Sequence, residues 1–381
     1  MSPPPVSTGG GSLFLAGRRA AAYLAGKTID YLIVGQGLAG TLIGFRLERA
    51  GHSVHYLDAP HQQSASRVAA GIVNPITGLR FVKSWRIDEL LPEARSLYAD
   101  LERELDVQLW YDLPLVRTLF NRGEQNDWLA RSGDEGYADY LDDHPALGAI
   151  PEVTDPAFAY AGVRHSARVD VRTLVTRYRE RLLRQDRLSE IAFDYDDLET
   201  EGDSINWTEN GRQRSFDRVI FCEGWRSRFN PWFGDLPYGG NKGEVLIVKT
   251  QAPLLDRLFK HRIFLVPQAD GTYWVGATSH NQWAEEGPSP ESRQYLEDRL
   301  RELMTVPYEI VDHRAAVRPT VRDRRPIIGP HPRQDGLWIF NGLGTKGASL
   351  APLVSRWLEA WLAGNDNIPG EVKLSRFPDR K

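Results

Sequence analysis

Residues 30–40 read DYLIVGQGLAG, an apolar run that ends in a glycine-spaced turn. The apolar residues 30–34 predict a short buried strand, and residues 38–50 predict a helix with apolar positions on one side. Residues 53–57 predict a second strand, which ends at Asp58. The glycines therefore lie between a strand and a helix, inside a β-α-β unit.

Each glycine of this turn has a separate role in a nucleotide-binding site. Gly35 permits the tight turn after the strand, Gly37 lets a pyrophosphate approach the backbone, and Gly40 lets the helix pack close to the sheet. Leu38 and Ala39 begin the helix, whose first N–H groups have no partner within the helix and carry partial positive charge. The turn is therefore predicted to hold phosphate.

Asp58 lies 23 residues beyond Gly35, at the end of the second strand. A carboxylate at that point accepts hydrogen bonds from ribose hydroxyls and repels a 2′-phosphate. These features predict a dinucleotide. They leave NAD and FAD open, because both carry a ribose and a pyrophosphate. The alternative is a strand, turn and helix whose glycines serve packing alone.

Composition excludes several other classes of protein. The 381 residues are 41% hydrophobic and 26% charged, with a formal net charge of −4, so there is no global basic field to attract nucleic acid. Cys222 is the single cysteine, which excludes a disulfide framework and a cysteine-based zinc site. We predict no metal and no membrane span, since no run of 18 apolar residues occurs, and we expect a cytoplasmic protein.

Two further stretches suit close contact with a cofactor. Residues 64–75 read SASRVAAGIVNP, in which small residues let the backbone pass a flat ring and Ser66 and Arg67 can reach phosphate. The alternative is an ordinary polar loop. Residues 219–225 read VIFCEGW, a strand end at which Gly224 permits passage beside the nucleotide. We interpret Cys222 there as a small buried apolar residue rather than a redox thiol.

A second glycine loop separates FAD from NAD. Residues 318–329 read RPTVRDRRPIIG, and residues 342–352 read GLGTKGASLAP and open the terminal helix. The N-terminus of that helix would face a group that carries negative charge, such as the N1–C2=O edge of a reduced flavin. A simple NAD enzyme has no need of this second loop, so the sequence favours FAD.

The chain resembles the D-amino-acid oxidase superfamily of FAD-dependent oxidoreductases, nearest to its glycine oxidase and sarcosine oxidase branch. It also resembles the FAD domain of the bacterial enzyme that trims carboxymethylaminomethyl-uridine in tRNA. The resemblance covers nearly all of residues 29–364. Besides the strings already quoted, it rests on IFLVPQADGTYWVGATS, residues 263–279.

The chain has parallel α/β character at its start, middle and end, and hairpins between these parts. This order predicts an α/β fold, or α+β when the whole chain is considered. The predicted architecture is a Rossmann-like FAD-binding domain with an inserted, mostly antiparallel β-sheet substrate domain. The predicted boundaries are a disordered N-terminal extension at 1–27, an FAD-binding domain at 28–88, 165–233 and 317–366, a substrate domain at 89–164 and 234–316, and a C-terminal tail at 367–381.

The resemblance also implies the residues of the site. Gly35, Gly37, Gly40 and Asp58 would hold the ADP half of FAD, and Gly224 would pass near the nucleotide. The flavin and ribityl side would be lined by Arg67, Ala70, Gly71 and Ile72. The pyrimidine edge of the flavin would be faced by Gly344, Thr345, Lys346, Gly347 and Ala348. We expect noncovalent FAD, because GLGTKGA lacks the flavin-linked cysteine of monomeric sarcosine oxidases.

Arg318 matches the arginine that pairs with the substrate carboxylate in glycine oxidase-like members, and its alternative role is a structural ion pair. Thr345 stands where those members carry another arginine. Arg80, Lys83 and Trp85 lie in NPITGLRFVKSW, residues 74–85, where they either contact an acidic substrate or serve the surface and a helix cap.

The implied reaction is oxidation of a C–N bond of an amino acid or secondary amine, by hydride transfer to flavin N5 and release of an imine. Three alternatives stay open: a tRNA-modifying oxidoreductase that acts on a carboxymethylamino group, a 2-hydroxy-acid dehydrogenase, and a flavin-binding module without turnover. The tRNA alternative would need a basic face on the protein. The sequence does not give the electron acceptor or the oligomeric state.

Overall fold

The computed structural model describes residues 29–60, 64–144, 158–201, 204–209, 211–252 and 255–377. Its strands are β1 (Ile29–Val34), β2 (Val54–Leu57), β3 (Ile72–Val73), β4 (Ile76–Thr77), β5 (Val82–Lys83), β6 (Trp110–Asp112), β7 (Leu115–Leu119), β8 (Leu141–Asp142), β9 (Ala159–Val163), β10 (Ala167–Val169), β11 (Leu188–Ser189), β12 (Leu198–Glu201), β13 (Ser204–Glu209), β14 (Arg212–Phe221), β15 (Asn241–Thr250), β16 (Leu258–Lys260), β17 (Phe264–Pro267), β18 (Thr272–Gly276), β19 (Tyr308–Arg318), β20 (Ile327–Pro330) and β21 (Leu337–Asn341).

Its helices are α1 (Leu38–Arg49), α2 (Ala65–Val68), α3 (Ile87–Leu105), α4 (Arg122–Ser132), α5 (Val171–Arg184), α6 (Pro290–Leu303) and α7 (Gly347–Leu362). Short 3-10 turns are Tyr195–Asp197, Gly224–Phe229, Gly370–Val372 and Leu374–Arg376. The predicted disordered extension, residues 1–27, lies outside the described residues.

The predicted β-α-β unit forms the centre of a mixed sheet. β1 pairs in parallel with β2 on one side and with β14 on the other, and β14 pairs in parallel with β21. The first half of β14 instead pairs antiparallel with β13. Leu32 and Ile33 of β1 are fully buried, because a central parallel strand has both faces covered. The carboxyl ends of β1, β2 and β14 therefore meet at one edge, where the first glycine turn lies.

The second large sheet has the strand order β19-β15-β18-β17-β16-β7-β9-β8 and is antiparallel apart from the β16–β7 pair. The predicted hairpin joins β17 to β18: the Gln268 N–H donates to the Thr272 carbonyl over 2.8 Å, and Gly271 adopts φ +81°. The predicted fold class, a Rossmann-like sheet combined with a mostly antiparallel one, is confirmed.

One side of the antiparallel sheet packs against the rest of the molecule. Val245, Ile247 and Trp274 belong to the largest core cluster, together with the helices of the first sheet. The Trp274 indole N–H donates to the Val68 carbonyl at the end of α2, over 2.8 Å. We call this side of the sheet the inner face. The other side packs on α6.

Helix α3 connects the predicted substrate domain with the predicted FAD-binding domain. It lies in residues predicted for the substrate domain, yet its Tyr98 hydroxyl donates to the Ala348 carbonyl of α7 over 2.8 Å. Glu93 of α3 also forms ion pairs with Arg46 of α1 and Arg356 of α7. The domain boundaries stay a prediction.

One helix, α4, was not predicted from the sequence. Its N-cap, Asn121, accepts a hydrogen bond from the Glu124 N–H over 2.9 Å, and the Glu124 carboxylate accepts from the Phe120 N–H over 2.9 Å. This reciprocal capping is a recognisable sequence signal. The helix escaped prediction because it buries a single side chain, that of Trp128, and so lacks an apolar stripe.

In the described part of the chain, no helix combines the length and the apolar character that crossing a membrane requires. The same residues contain no group of three or more histidine, cysteine or acidic side chains arranged to hold a metal ion. Much of the predicted C-terminal tail is packed: Val372 is fully buried, and Lys373 forms a parallel bridge with Ile328.

Candidate active site

Two glycines of the first turn are required by packing. Gly35 adopts φ +99°, and a Cβ atom there would lie 2.5 Å from the Cys222 carbonyl oxygen. A Cβ atom on Gly40 would lie 2.0 Å from the Gly35 carbonyl oxygen. Both approaches involve backbone atoms, which cannot rotate away. Only glycine therefore fits at Gly35 and Gly40.

Gly37 differs from these two glycines because the atom nearest to a Cβ there belongs to a side chain and not to the backbone. Among the described atoms beyond its chain neighbours, a Cβ there would find only the Ser66 Oγ within 4 Å, at 3.1 Å. Gly37 is the N-cap of α1 and provides no side-chain acceptor, and the Leu38 N–H donates to the Ser66 Oγ over 2.9 Å. Gly37 is half-buried, and the Ser66 hydroxyl helps to cap the helix.

Asp58 is held by a partner that the sequence did not indicate. Arg179 of α5 donates to the Asp58 Oδ2 over 2.6 Å and to the Asp58 carbonyl over 3.1 Å. Arg179 also forms an ion pair with Glu190 at 2.9 Å. The arginine fixes the direction of the carboxylate at the end of β2. The role of Asp58 toward ribose stays a prediction, as does the phosphate role of nearby Arg67, which stands in α2.

The second glycine loop meets the first. A Cβ on Gly347, the first residue of α7, would lie 3.2 Å from the Leu38 side chain of α1. Gly344 adopts φ +54°, and its N–H donates to the Pro319 carbonyl over 3.0 Å. Ala348 is buried, whereas the Thr345 side chain is exposed. The N-termini of α1 and α7 therefore converge, as one cofactor that touches both loops requires.

The stretch predicted to line the flavin runs antiparallel to β10. Ile72 pairs with Arg168, and Ala70 is buried beside it. Gly71 adopts φ +72°, and a Cβ there would lie 1.8 Å from the Val169 carbonyl oxygen. Close packing therefore explains the glycine. Contact of these residues with flavin stays a prediction.

Lys346 is a cation without a carboxylate partner in the described residues. Its Nζ donates to the Thr77 Oγ1 over 3.2 Å and to the Ser84 Oγ over 3.1 Å. Burial lowers the pKa of Lys346, and Arg325 and Arg324 add to this effect. The amine ties the second glycine loop to the β4–β5 hairpin and adds positive charge at the predicted pyrimidine edge.

Arg318 ends β19 on the inner face. Its Nη1 donates to the Asn241 Oδ1 over 2.5 Å and to the Thr278 carbonyl over 3.3 Å. Within the described chain no carboxylate lies at ion-pair distance from this guanidinium. Burial lowers the pKa of Arg318. The structural alternative from the sequence, an ion pair, therefore has no partner among the described residues.

Gly243 makes room for that guanidinium and was not singled out from the sequence. A Cβ on Gly243 would lie 2.0 Å from the Arg318 Nη2 and 2.2 Å from its Cζ. The arginine therefore lies flat across β15, with Ala316 opposite Gly243 in the register. A glycine in a strand interior often marks close approach, which is the signal that sequence reasoning could have used.

Of the three basic and aromatic residues singled out at 74–85, one faces solvent and two bind acidic side chains of the protein. Arg80 is exposed, Lys83 pairs with Asp88 at 2.8 Å, and the Trp85 indole N–H donates to Glu371 over 3.0 Å. These contacts favour the structural interpretation for Lys83 and Trp85.

The end of β14 lies beside the first turn. The Cys222 N–H donates to the Val34 carbonyl over 2.7 Å, and burial raises the pKa of its thiol well above the usual value. This supports a buried apolar role. Gly224 follows with φ +58°, and a Cβ atom on it would meet no described atom within 4 Å beyond its chain neighbours. Gly224 thus borders open space, whereas a Cβ at Gly37 would meet the Ser66 hydroxyl.

These features fit FAD. Gly224 leaves space at the carboxyl edge of the parallel sheet, the N-terminus of α1 offers positive potential to a pyrophosphate, and Lys346 stands at the second helix N-terminus. Bound there, FAD would be held by backbone at both loops, and no described cysteine stands in the second loop to link it.

Comparisons with known proteins agree with this geometry. The glycine oxidase of Pseudomonas aeruginosa is 27% identical over 370 residues, which covers 88% of this chain and 95% of that protein. The crystal structure of glycine oxidase from Geobacillus kaustophilus superposes with a TM-score of 0.77 at 22% identity, over 92% of this chain and 100% of the other.

A shorter match is to part of a bifunctional protein. The tRNA 5-methylaminomethyl-2-thiouridine biosynthesis bifunctional protein of Marinobacter nauticus is 33% identical over 107 residues, 25% of this chain and 17% of that protein.

The model of the DAO family, described as FAD dependent oxidoreductase, matches residues 30–361. The chain therefore belongs to the DAO family of FAD-dependent oxidoreductases and is an enzyme that uses FAD.

Proposed function

We propose that this enzyme oxidises the C–N bond of an amino acid or secondary amine whose carboxylate binds Arg318. FAD, when bound, supplies the oxidising chemistry by accepting two electrons and hydrogen from the substrate. The single observation that carries the substrate class is the Arg318 guanidinium, which lies on the inner face without a carboxylate partner in the described residues. The names of the glycine oxidase relatives support the same class.

The residues around Arg318 would bind and orient the substrate. The Asn241 Oδ1 accepts a hydrogen bond from the Arg318 Nη1 and thereby limits rotation of the guanidinium. The Arg318 Nη2, which lies over Gly243, would then donate a hydrogen bond to the substrate carboxylate. A planar guanidinium suits bidentate binding of a carboxylate. Gly243, Gly276 and Phe264 present little polarity nearby, and a desolvated surface of this kind favours the neutral amine that donates electrons.

A second candidate is oxidation of a carboxymethylamino group on tRNA, supported by the 33% identical segment of the Marinobacter nauticus protein. It would use Arg318 for the same carboxylate. The two candidates differ in the size of the molecule that delivers the group, so a small carboxymethylated amine and a modified tRNA distinguish them.

The test is an anaerobic screen of the holoenzyme. Amino acids, N-methylated and N-carboxymethylated amines, 2-hydroxy acids and tRNA are each mixed with the protein, and loss of the flavin visible absorbance is followed. We expect bleaching by at least one amine that carries a carboxylate. Bleaching only by 2-hydroxy acids, or by no compound, would contradict the proposal, the latter in favour of a flavin-binding module.

Arg318→Leu tests the assigned role. We expect carboxylate ligands to bind about 100-fold more weakly, as for loss of a charge-assisted bidentate pair, while the FAD content stays unchanged. The exposed Arg322→Leu is the matched control. Unaltered carboxylate affinity in Arg318→Leu would remove Arg318 from the site.

A further inference from the structure

The inner face carries two more cations, at a distance from Arg318 along the sheet. The register joins neighbouring strands through one row of facing residues: Val245, Gly276, Phe264, Lys260 and Arg117. Residues that face each other across strands point to the same side of a sheet. Because Val245 lies on the inner face, Lys260 and Arg117 lie there as well.

Neither cation has a carboxylate at ion-pair distance in the described residues. The Lys260 Nζ donates to the Arg262 carbonyl over 2.9 Å and lies 4.4 Å from the Phe264 ring centre. Arg117 lies 4.4 Å from the Phe81 ring centre, and its Nη1 donates to the Gly78 carbonyl over 3.4 Å. The Arg117 Nε is buried and has no hydrogen-bond partner among the residues that the structure describes.

This arrangement is unfavourable for the protein alone. Burial lowers the pKa of Lys260 to about 8, with Arg117 contributing repulsion. Burial also lowers the pKa of Arg117 to about 10, and the more distant Glu124 carboxylate offsets only part of this effect. Two like charges that share a partly buried surface gain little from one carbonyl each and the neighbouring rings, of which Lys260 has Phe264 and Arg117 has Phe81 and Trp128. An anion between them would remove both the repulsion and the unsatisfied donor.

Arg318 lies on the same face as this pair. It faces Asn241, four residues before Val245 on β15, and an even offset along a strand keeps side chains on one side. The strands that carry Arg318 and Lys260 are four places apart in the sheet, roughly 19 Å at the usual strand spacing. Arg318 also lies four residues beyond Arg314, which faces Val245 in the row of Lys260, and this adds roughly 13 Å along the strand, so the two Cα atoms are roughly 23 Å apart. Phe264 lies between them, and long side chains close much of the gap.

We propose that Arg117 and Lys260 form a second anion-binding site, so that the substrate carries a carboxylate for Arg318 and a carboxylate or phosphate at its other end. This rests on the proposed function, because it takes Arg318 as the anchor for the first carboxylate. It narrows the substrate to an amine with two anionic groups, longer than a simple amino acid.

Ligand binding to the oxidised holoenzyme tests the proposal without turnover. Straight-chain dicarboxylates of four to ten carbons are titrated against monocarboxylates of equal length, and the change in the flavin visible spectrum gives each dissociation constant. A parallel series of ω-phosphonocarboxylates distinguishes carboxylate from phosphate at the second site. We expect a dianionic compound to bind at least tenfold more tightly than its monoanionic match at one chain length.

Variants of Lys260 and Arg117 test whether these two residues cause the tighter binding of dianionic compounds. Lys260→Met and Arg117→Met should each remove most of it while monocarboxylates bind as before, and Lys260→Arg should retain it. Lys249→Met, an exposed lysine on β15, is the matched control. Because the ligand series is measured on the unaltered protein first, the proposal stays testable if a variant fails to fold.

Equal affinity for mono- and dianionic compounds at every length would overturn the second site while leaving the anchoring role of Arg318 intact. An advantage that persists unchanged in both variants would overturn it equally. Failure of all carboxylates to perturb the flavin would instead count against the proposed function itself.

Discussion

Two regions of the molecule treat buried charge in opposite ways. Between α1, β2 and α5, Glu48 accepts hydrogen bonds from the Tyr56 and Tyr178 hydroxyls over 2.7 and 2.8 Å. It also forms ion pairs with Arg181 at 2.8 Å and Arg187 at 3.0 Å. Burial would raise the pKa of Glu48, but the two arginines outweigh it and hold that pKa below its usual value. Each charge in this cluster has a partner.

The inner face of the antiparallel sheet differs, because Arg318, Lys260 and Arg117 have only neutral acceptors and rings in the described residues. A cluster whose charges are all paired holds elements together, whereas unpaired buried cations lower stability unless a ligand neutralises them. The difference separates structural from functional charge without reference to any relative. It can be tested by removing charge from each region.

The largest change in unfolding free energy is expected from Glu48→Gln. Its side chain is 8% exposed, and its loss leaves two arginines without their carboxylate, so we expect a loss of roughly 3–5 kcal/mol in unfolding free energy. Urea denaturation measures it, with the exposed Glu89→Gln as control. Because the folded pKa of Glu48 is depressed, its stabilisation is present above the unfolded pKa and lost as pH falls below it. A deficit that persisted in acid would contradict this account.

Arg318→Leu should behave in the opposite way. Replacing an unpaired, partly buried cation by an apolar group removes a desolvation cost, so we expect the unfolding free energy to stay within about 1 kcal/mol of the original or to rise. The same denaturation experiment measures it. A loss as large as that of Glu48→Gln would mean that Arg318 is structural, and the contrast between the two regions would fail.

A smaller effect is expected from Gly243→Ala. The new Cβ would meet the Arg318 guanidinium at 2.0 Å, so the flexible arginine must move while the strand remains paired. We expect carboxylate binding to weaken about tenfold with little change in stability, consistent with loss of one charged hydrogen bond. Gly287→Ala, where a Cβ meets no described atom within 4 Å, is the control. Unchanged affinity would place the substrate elsewhere.

The smallest effect concerns pH. The pKa of Lys260 is lowered to about 8, by burial first and by Arg117 second, so Lys260 loses its charge as pH rises through that value. The preference for dianionic ligands should therefore decline severalfold between pH 7 and 9. Arg117, with a pKa of about 10, stays charged over this range. Lys260→Arg should keep the preference constant, and a pH-independent preference in the original protein would exclude Lys260.

The sequence predicted local features better than contacts between distant segments. The first β-α-β unit follows from periodicity and turn chemistry, and its two strands and its helix lie within one residue of the predicted bounds. The pairing of Asp58 with Arg179 joins residues 121 positions apart. No local pattern encodes such a pair, because it arises only when α5 packs beside β2.

The candidate site shows the same division. Arg318 was identified through its resemblance to a family motif, but the missing carboxylate partner and the space above Gly243 needed coordinates. Lys260 and Arg117 are ordinary strand residues in the sequence. Only the register of β16 against β7, which places them side by side, shows that two cations share one surface. Strand pairing between segments more than 100 residues apart cannot be read from either segment alone.

The first glycine turn has a consequence for genetics. Substitutions at Gly35 or Gly40 force backbone atoms apart, so the resulting chain is defective before any cofactor arrives, and extra FAD in the medium cannot restore it. At Gly37 a methyl group would meet only the Ser66 hydroxyl among the described atoms beyond its chain neighbours and would face the predicted phosphate site, so a higher supply of FAD should compensate. Three glycines that look interchangeable in a sequence motif should therefore fall into two classes of allele, one suppressible by cofactor and one not.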